Sequence, residues 1–363
     1  MKKTTVKNSL MKKTASAPEQ QPVIISPEQG ETVTLQTGLQ SRYSSGKCLE
    51  PSLKNGWAEK KDDMDCTHPE AVTVQWKNPS GRECLLFLAE NRDFSGAKKW
   101  KTFRSKKIYN LLPGKEYFLK VRCGRHDSET VKFSTLLQTP RFIHVPGVTN
   151  VRDLGGLSGC GGKKIRFGMI YRGAQYEKWT CAPGLTPGGK RILLDDLKLK
   201  TILDLRWENE GKCGLKNEIR KYSKIPILAY ATWHGPTASS TGIFSEEQMD
   251  HVRKIFLLFA RKNSYPLYFH CQGGGDRTGT IAFLLETVLG VSRENAEKEY
   301  EFSNLSTSGI RLRSSEVWTR FMEKLDEYAP GKSIGEKVSA YLYQCGVKED
   351  TLEKIRRILL EEA

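Results

Sequence analysis

The stretch "PLYFHCQGGGDRTGTIAFLLETVLG", Pro266 to Gly290, constrains this chain most. An apolar run of strand character stops at Cys271, three glycines follow, and an apolar helical segment begins soon after. A strand that turns through glycines into a helix belongs to an α/β layer, because the helix must pack back onto the sheet. Neighbouring segments agree. Thr186 precedes Pro187 at a helix start, and that helix, carrying Ile192, Leu193 and Leu197, leads into the strand "TILDLR". "SEEQMDHVRKIFLLFARK" opens with Ser245 and Gln248 at capping-box spacing and lines Met249, Val252, Phe256 and Phe259 along one face. "EKVSAYLYQCG" and "TLEKIRRILLEEA" read as closing helices. The pattern predicts an α/β domain over 140–363, a central mostly parallel sheet flanked by helices, able to fold alone.

The grammar before it differs. "ETVTLQT", "AVTVQWKN", "ECLLFLAEN" and "KEYFLKVRC" are short alternating runs separated by turns. They predict a small all-β sandwich over 22–139, preceding the α/β domain. The arrangement resembles a fibronectin type III domain, with Trp76 as core tryptophan and Tyr117 as corner tyrosine. Another small sandwich would fit the same strands, and "SRYSSGKCLEPSLKNGWAEKKDDMDCTHPE" fits poorly. Residues 1–21 are lysine-rich with no apolar h-region, so a disordered tail is expected and a cytoplasmic location is the default. A true start further upstream would leave export open. No run is apolar enough to span a bilayer.

The nine cysteines show neither a CxxC pair nor metal-ligand spacing with histidines, so mostly reduced thiols and no metal are expected. A disulfide among Cys66, Cys84 and Cys123 is open, without support from spacing. The net charge of +16 is spread along the chain with no aromatic-interleaved basic block. That suits anionic substrates and argues against a nucleic-acid partner.

The loop itself suggests chemistry. A thiol attacks only as the thiolate, which a helix N-terminus and a nearby cation favour. Cys271 sits where a strand gives way to a helix, and Arg277 supplies the cation. The glycines let backbone N–H groups turn inward as a nest for an anion. Arg277 can offer two parallel donors to phosphate oxygens, and Thr278 can donate to the sulfur. No Gly-Lys-Ser/Thr follows, so this is not a nucleotide-binding loop of that kind. An inert buried cysteine is the bland alternative.

"HCQGGGDRTGT" resembles the signature of the cysteine-dependent protein tyrosine phosphatase superfamily. "NVRDLGG", "IYRGAQ", "TILDLRWENE" and "YEFSN" occur in the order seen in bacterial tyrosine phosphatases related to atypical dual-specificity and phosphoinositide enzymes. The resemblance runs from about Phe142 to the C-terminus. It implies that Cys271 attacks phosphorus to form a phosphocysteine, and that Arg277 holds the equatorial oxygens. Amides from Gln272, Gly273, Gly274 and Gly275 through Arg277 would complete the cradle, with no cofactor. His270 would tune the thiolate. Asn150, Arg152 and Asp153 would brace the site or touch substrate.

Many members place their general-acid Asp on a mobile loop upstream of the cysteine. Here that window, "ATWHGPTASST", holds neither Asp nor Glu. Asp276 ranks first as proton donor and Asp204 second; His234, inside the window, is a third. Gly275 stands where close relatives often carry Lys. The expected substrate is a phosphotyrosine protein, with Tyr171 and Trp233 as candidate walls for the ring. A phosphoinositide or inositol-phosphate phosphatase, another phosphomonoester specificity and a phosphate-binding adaptor remain open. A protein or surface partner is a further expectation for the β-domain.

Overall fold

The computed structural model describes residues 21–46, 65–179, 182–211, 213–229, 242–306 and 311–362. The chain divides into two compact units. The first comprises the chain up to Val33, then Val72–Ile108 and Lys115–Ser134. Its strands are β1 (Val23–Ser26), β2 (Thr32–Val33), β3 (Val72–Lys77), β4 (Cys84–Ala89), β5 (Lys98–Thr102), β6 (Ser105–Ile108), β7 (Glu116–Cys123), β8 (His126–Asp127) and β9 (Val131–Thr135). They join in the orders β1-β3-β6 and β2-β9-β7-β4-β5, with β8 beside β7. Alternate residues are buried: Val72, Val74 and Trp76 on β3, and Tyr117, Leu119, Val121 and Cys123 on β7. This is the period-two pattern of strands with one wet face.

Cys84 and Cys123 are direct cross-strand partners and form a disulfide. The expectation of reduced thiols therefore does not hold for this pair. Only the register of β4 against β7 brings the two together, and spacing along the chain cannot reveal it.

The alternation in "ETVTLQT" also stops early, because Thr37 starts a helix instead. Its hydroxyl accepts from Gln40 N while its own N–H donates to Gln40 Oε1, a complete capping box that opens α1 (Gly38–Ser45).

The second unit comprises Thr34–Ala71, Tyr109–Gly114 and Thr135–Ala363. It thus reaches back beyond the boundary expected near residue 140. Leu39 and Tyr43 of α1 pack with Phe142, Phe302 and Leu305. Cys66 N donates to the Leu305 carbonyl at 2.7 Å. The Arg141 guanidinium donates to the carbonyls of Leu111 and Asn110 at 3.1 and 2.5 Å.

The sheet of this unit contains β10 (Arg141–Phe142), β11 (Arg152–Asp153), β12 (Ile170–Gly173), β13 (Thr201–Asp204), β14 (Lys221–Lys224) and β15 (Leu267–His270), in the order β10-β11-β12-β15-β13-β14. The last four in that order are parallel, and β10 and β11 form an antiparallel edge. Strands β12, β13 and β15 are buried along their whole length. Covered on both faces, a parallel strand loses the wet-dry alternation. The helices are α2 (Pro187–Arg191), α3 (Glu246–Phe259), α4 (Asp276–Val288), α5 (Arg293–Glu301), α6 (Glu316–Asp326), α7 (Ile334–Gln344) and α8 (Glu349–Leu359).

Thr186 caps α2 through Gly189 N. Ser245 caps α3, but Gln248 turns its amide oxygen to Leu228 N at 2.6 Å instead of closing a capping box. Helix α4 is buried from Thr278 to Val288, as a central helix must be. Among the described residues, no helix is long and apolar enough to cross a membrane. In register, Gly173 of β12 and Asp204 of β13 both lie level with His270 of β15. Three parallel strands therefore end together, at the carboxyl edge where α/β folds place their ligands.

A fragment beginning at Pro140 would lose α1 and the carbonyls that satisfy Arg141. Each buried polar group left unpaired costs about 1–3 kcal/mol. Such a fragment should melt about 5 °C or more below the whole chain. Equal midpoints in thermal unfolding would show that the earlier segments add nothing to this unit.

Candidate active site

Cys271 follows β15 and is 4% exposed. Every carbonyl from Cys271 to Gly275 has a partner. His270 Nδ1 donates to Cys271 O at 2.9 Å, Gln175 N to Gln272 O at 3.0 Å, and Asn150 Nδ2 to Gly273 O at 3.0 Å. Arg172 donates through one terminal nitrogen to Gly274 O at 2.6 Å and to Gly275 O at 3.3 Å. Gly279 N adds a bond to Gly275 O at 2.8 Å. A trans peptide sets its N–H opposite its C=O. Pinning the carbonyls to the surrounding protein therefore turns the following N–H groups the other way, as an anion nest requires. Gly274 has φ +70°, and a Cβ there would lie 2.4 Å from the carbonyl of Gly173. No side chain fits where the loop backbone lies against the end of β12.

Arg277 lies on the first turn of α4. Its two terminal nitrogens donate to Glu210, at 2.5 Å to Oε2 and 2.8 Å to Oε1. Burial pushes the Glu210 carboxyl up, but Arg277 and the Trp207 amide hold it below its ordinary value. A guanidinium has five N–H donors, so three remain after this fork. Thr278 Oγ1 is buried and has no partner among the described residues. Glu210 belongs to the "TILDLRWENE" segment, but its role is not readable there. The carboxylate that orients Arg277 is identified only by the fold.

Asp204 is fully buried at the end of β13. Its Oδ1 accepts from Arg206 N and Nε, and its Oδ2 from Arg206 NH2 and Tyr222 OH. Burial raises its pKa, but Arg206 and His270 together hold the carboxyl at about 2. Arg206 in turn donates to Gln175 Oε1 and Glu177 Oε2. Asp276 opens α4, and its carboxylate takes a two-pronged bond from Arg311, at 2.8 Å from Nε and 2.7 Å from NH2. Burial pushes the His270 imidazole below its usual value, and its Nδ1 donates to Cys271 O.

Beneath the loop lies a buried charge cluster. Glu299 accepts from Arg152 Nε at 2.5 Å and, through its other oxygen, from Arg172 NH1. Arg152 also donates to Asn150 Oδ1 and to Ser303 Oγ. Asp153 accepts from Arg141 and from the amides of Gly155 and Gly168. Asn150, Arg152 and Asp153 are fully buried. Of the three, Asn150 bonds the loop directly and Arg152 holds Asn150, whereas the partners of Asp153 lie outside the loop; neither Arg152 nor Asp153 has exposed surface for a substrate. Tyr171 is 2% exposed within an apolar core and cannot line a substrate ring as expected. His234 and Trp233 lie outside the described residues. Among the described residues, no group of three or more His, Cys, Asp or Glu could hold a metal ion.

A cysteine at a strand end, a loop whose carbonyls are all bonded, and an arginine on the first turn of the next helix together make up the candidate site. The family model described as "Tyrosine phosphatase family" matches residues 143–361, and the chain belongs to that family. A Cupriavidus necator protein assigned by name as a tyrosine-protein phosphatase is 28% identical over 173 residues. The match covers 43% of this chain and 61% of that protein, so this chain spans about three-fifths of the relative's length. A solved structure, the core catalytic domain of a PP-IP phosphatase from S. cerevisiae in complex with citrate, is similar at 18% identity and a TM-score of 0.30. That likeness covers 42% of this chain and 78% of the solved one.

The charge cluster has one measurable signature. Burial first, and then the charge of Glu299, push the Glu286 carboxyl well above its ordinary 4.5. Its two oxygens have no partner among the described residues. A carboxyl with a raised folded pKa contributes stability that is complete below the unfolded value and is lost as pH rises toward the folded one. Glu286→Gln removes that dependence. Its melting temperature relative to the unsubstituted chain should therefore climb as pH rises above the ordinary range of a glutamate carboxyl and through neutrality. A difference that stays constant across that rise would show that Glu286 is ionised in the fold.

Proposed function

We propose that this chain hydrolyses phosphomonoesters through a phosphocysteine, and that phosphotyrosine in a protein is its preferred substrate. One observation carries the reading. Cys271 opens a loop whose carbonyls are all bonded to the surrounding protein, and Arg277, six residues on, is held in a two-pronged bond by Glu210. The Cys271 thiolate attacks phosphorus and the bond to the leaving oxygen breaks as the sulfur–phosphorus bond forms. Arg277 spends its remaining donors on the equatorial oxygens, and the amides from Gln272 to Arg277 share that charge. Asp276 delivers a proton to the leaving oxygen. Water then attacks the phosphocysteine, Asp276 takes back a proton, and the sulfur leaves with the Thr278 hydroxyl beside it. Asp204 is a poorer donor, because four bonds from Arg206 and Tyr222 fill both of its oxygens.

Two features support phosphotyrosine over inositol polyphosphates. Gly275 adds no cation to the loop. The nearby Arg311 charge is matched by Asp276, which leaves less surplus positive charge for a second phosphate. For the first unit, we read the strand orders β1-β3-β6 and β9-β7-β4-β5 as those of a fibronectin type III-like sandwich, a module suited to a protein or surface partner. The Cys84–Cys123 disulfide fits an oxidising compartment better than a cytoplasmic one.

Cys271→Ser should cut steady-state turnover of an aryl phosphate by at least about 10³-fold while retaining vanadate binding, because a serine hydroxyl keeps its proton there. Residual turnover near the starting rate would exclude the covalent route. On substrate, kcat/KM should be higher for phosphotyrosine peptides than for phosphoserine peptides or inositol polyphosphates. A clear preference for the inositide would overturn that assignment.

A further inference from the structure

Gly275 is a glycine for a reason that lies outside the loop. A Cβ on it would stand 2.5 Å from Arg311 Nε, 2.8 Å from Cζ and 3.1 Å from NH2. The Arg311 guanidinium therefore lies against the α-carbon, and no side chain fits while it stays. Its backbone is gripped as well. Asn304, fully buried, accepts from Arg311 N through Oδ1 and donates to Arg311 O through Nδ2, each at 2.6 Å. The same amide nitrogen donates to Glu301 O at 2.8 Å. From this mount Arg311 sends its fork to both oxygens of Asp276, and its side chain is only 7% exposed.

We infer that Arg311 is a positioning residue for Asp276, and that Gly275 leaves open the space it occupies. The inference rests on reading Asp276 as the proton donor. A carboxylate on the first turn of a helix can adopt several rotamers. Two parallel N–H bonds fix both its position and the plane of its oxygens. Proton transfer to a leaving oxygen needs that geometry, and a misplacement of about 1 Å costs about 10²-fold. Asn304 supplies the rigidity from the far side. This gives the "YEFSN" segment a task at the site without any contact with substrate.

The test compares kcat on para-nitrophenyl phosphate, a good leaving group, with kcat on phenyl phosphate, a poor one. Arg311→Ala and Arg311→Lys should each slow phenyl phosphate about 10- to 100-fold while changing para-nitrophenyl phosphate little, and Gly275→Ala, which crowds the guanidinium, should slow phenyl phosphate by a larger factor than para-nitrophenyl phosphate. The double variant Arg311→Ala with Gly275→Ala should be no slower than either single one, since both remove the same fork. Adding Arg311→Ala to Asp276→Asn should cost nothing further. Equal losses on both substrates would mean that Arg311 is only structural and would overturn the inference. So would faster phenyl phosphate turnover by Gly275→Lys. If Asp276→Asn shows the leaving-group dependence and the Arg311 variants do not, the positioning role alone falls. If Asp276→Asn does not show it, the reading of Asp276 falls and this inference falls with it.

Discussion

The carbonyl oxygens of Gly274 and Gly275 point at Arg172, and the rest of the site depends on that bond. Were those peptides to flip, the cradle would present oxygens to an anion. Arg172 is held by Glu299, which also holds Arg152, which holds Asn150, which holds the carbonyl of Gly273. One buried carboxylate thus fixes the loop from two sides. Removing a partner from such a pair strands a buried charge at a cost of about 3–5 kcal/mol. The loop's shape is therefore secured by the protein behind it before any ligand arrives.

Much of the second unit was legible because its elements announce themselves. The apolar runs at Leu267–His270 and Thr201–Asp204 are strands buried on both faces. The Thr186–Pro187 start and the glycine turn marked helix beginnings correctly. Cys271, Arg277 and the loop glycines could be picked out because they lie in one contiguous stretch. The partners that set their geometry could not. Glu210, Glu299 and Arg311 come from three other parts of the chain, and a carboxylate that orients a guanidinium looks like any surface Glu until the fold is known. Asn150 is a similar case: φ is +59° there, a backbone state that Asn tolerates, and its side chain bridges Arg152 to the loop.

Misreadings have physical causes too. "ETVTLQT" alternates like a strand, yet Thr37 and Gln40 sit at capping-box spacing, and the cap wins. Tyr171 follows an apolar strand residue and was available as an aromatic wall, but a strand buried on both faces leaves it no open side. Asp204 sits where parallel-sheet sites gather, which made it a reasonable acid. Position at a strand end, however, says nothing about how many donors will converge on the oxygens. Here four do, and the carboxylate serves to set Arg206 in place.

The interleaving of the two units has a consequence for the ribosome. The first unit closes once Ser134 has been made, and its strands can pair as they emerge. Residues 34–46 and 65–71 of the second unit cannot settle then. Cys66 must wait for Leu305, and Tyr43 for Phe302, so α1 and its neighbours stay unpartnered through most of synthesis. The sheet itself faces the same delay, since its central strand β15 is among the last to appear. A nascent chain of this design carries exposed apolar side chains for longer than one folding strictly from its N-terminus, a period in which association with other chains competes with folding.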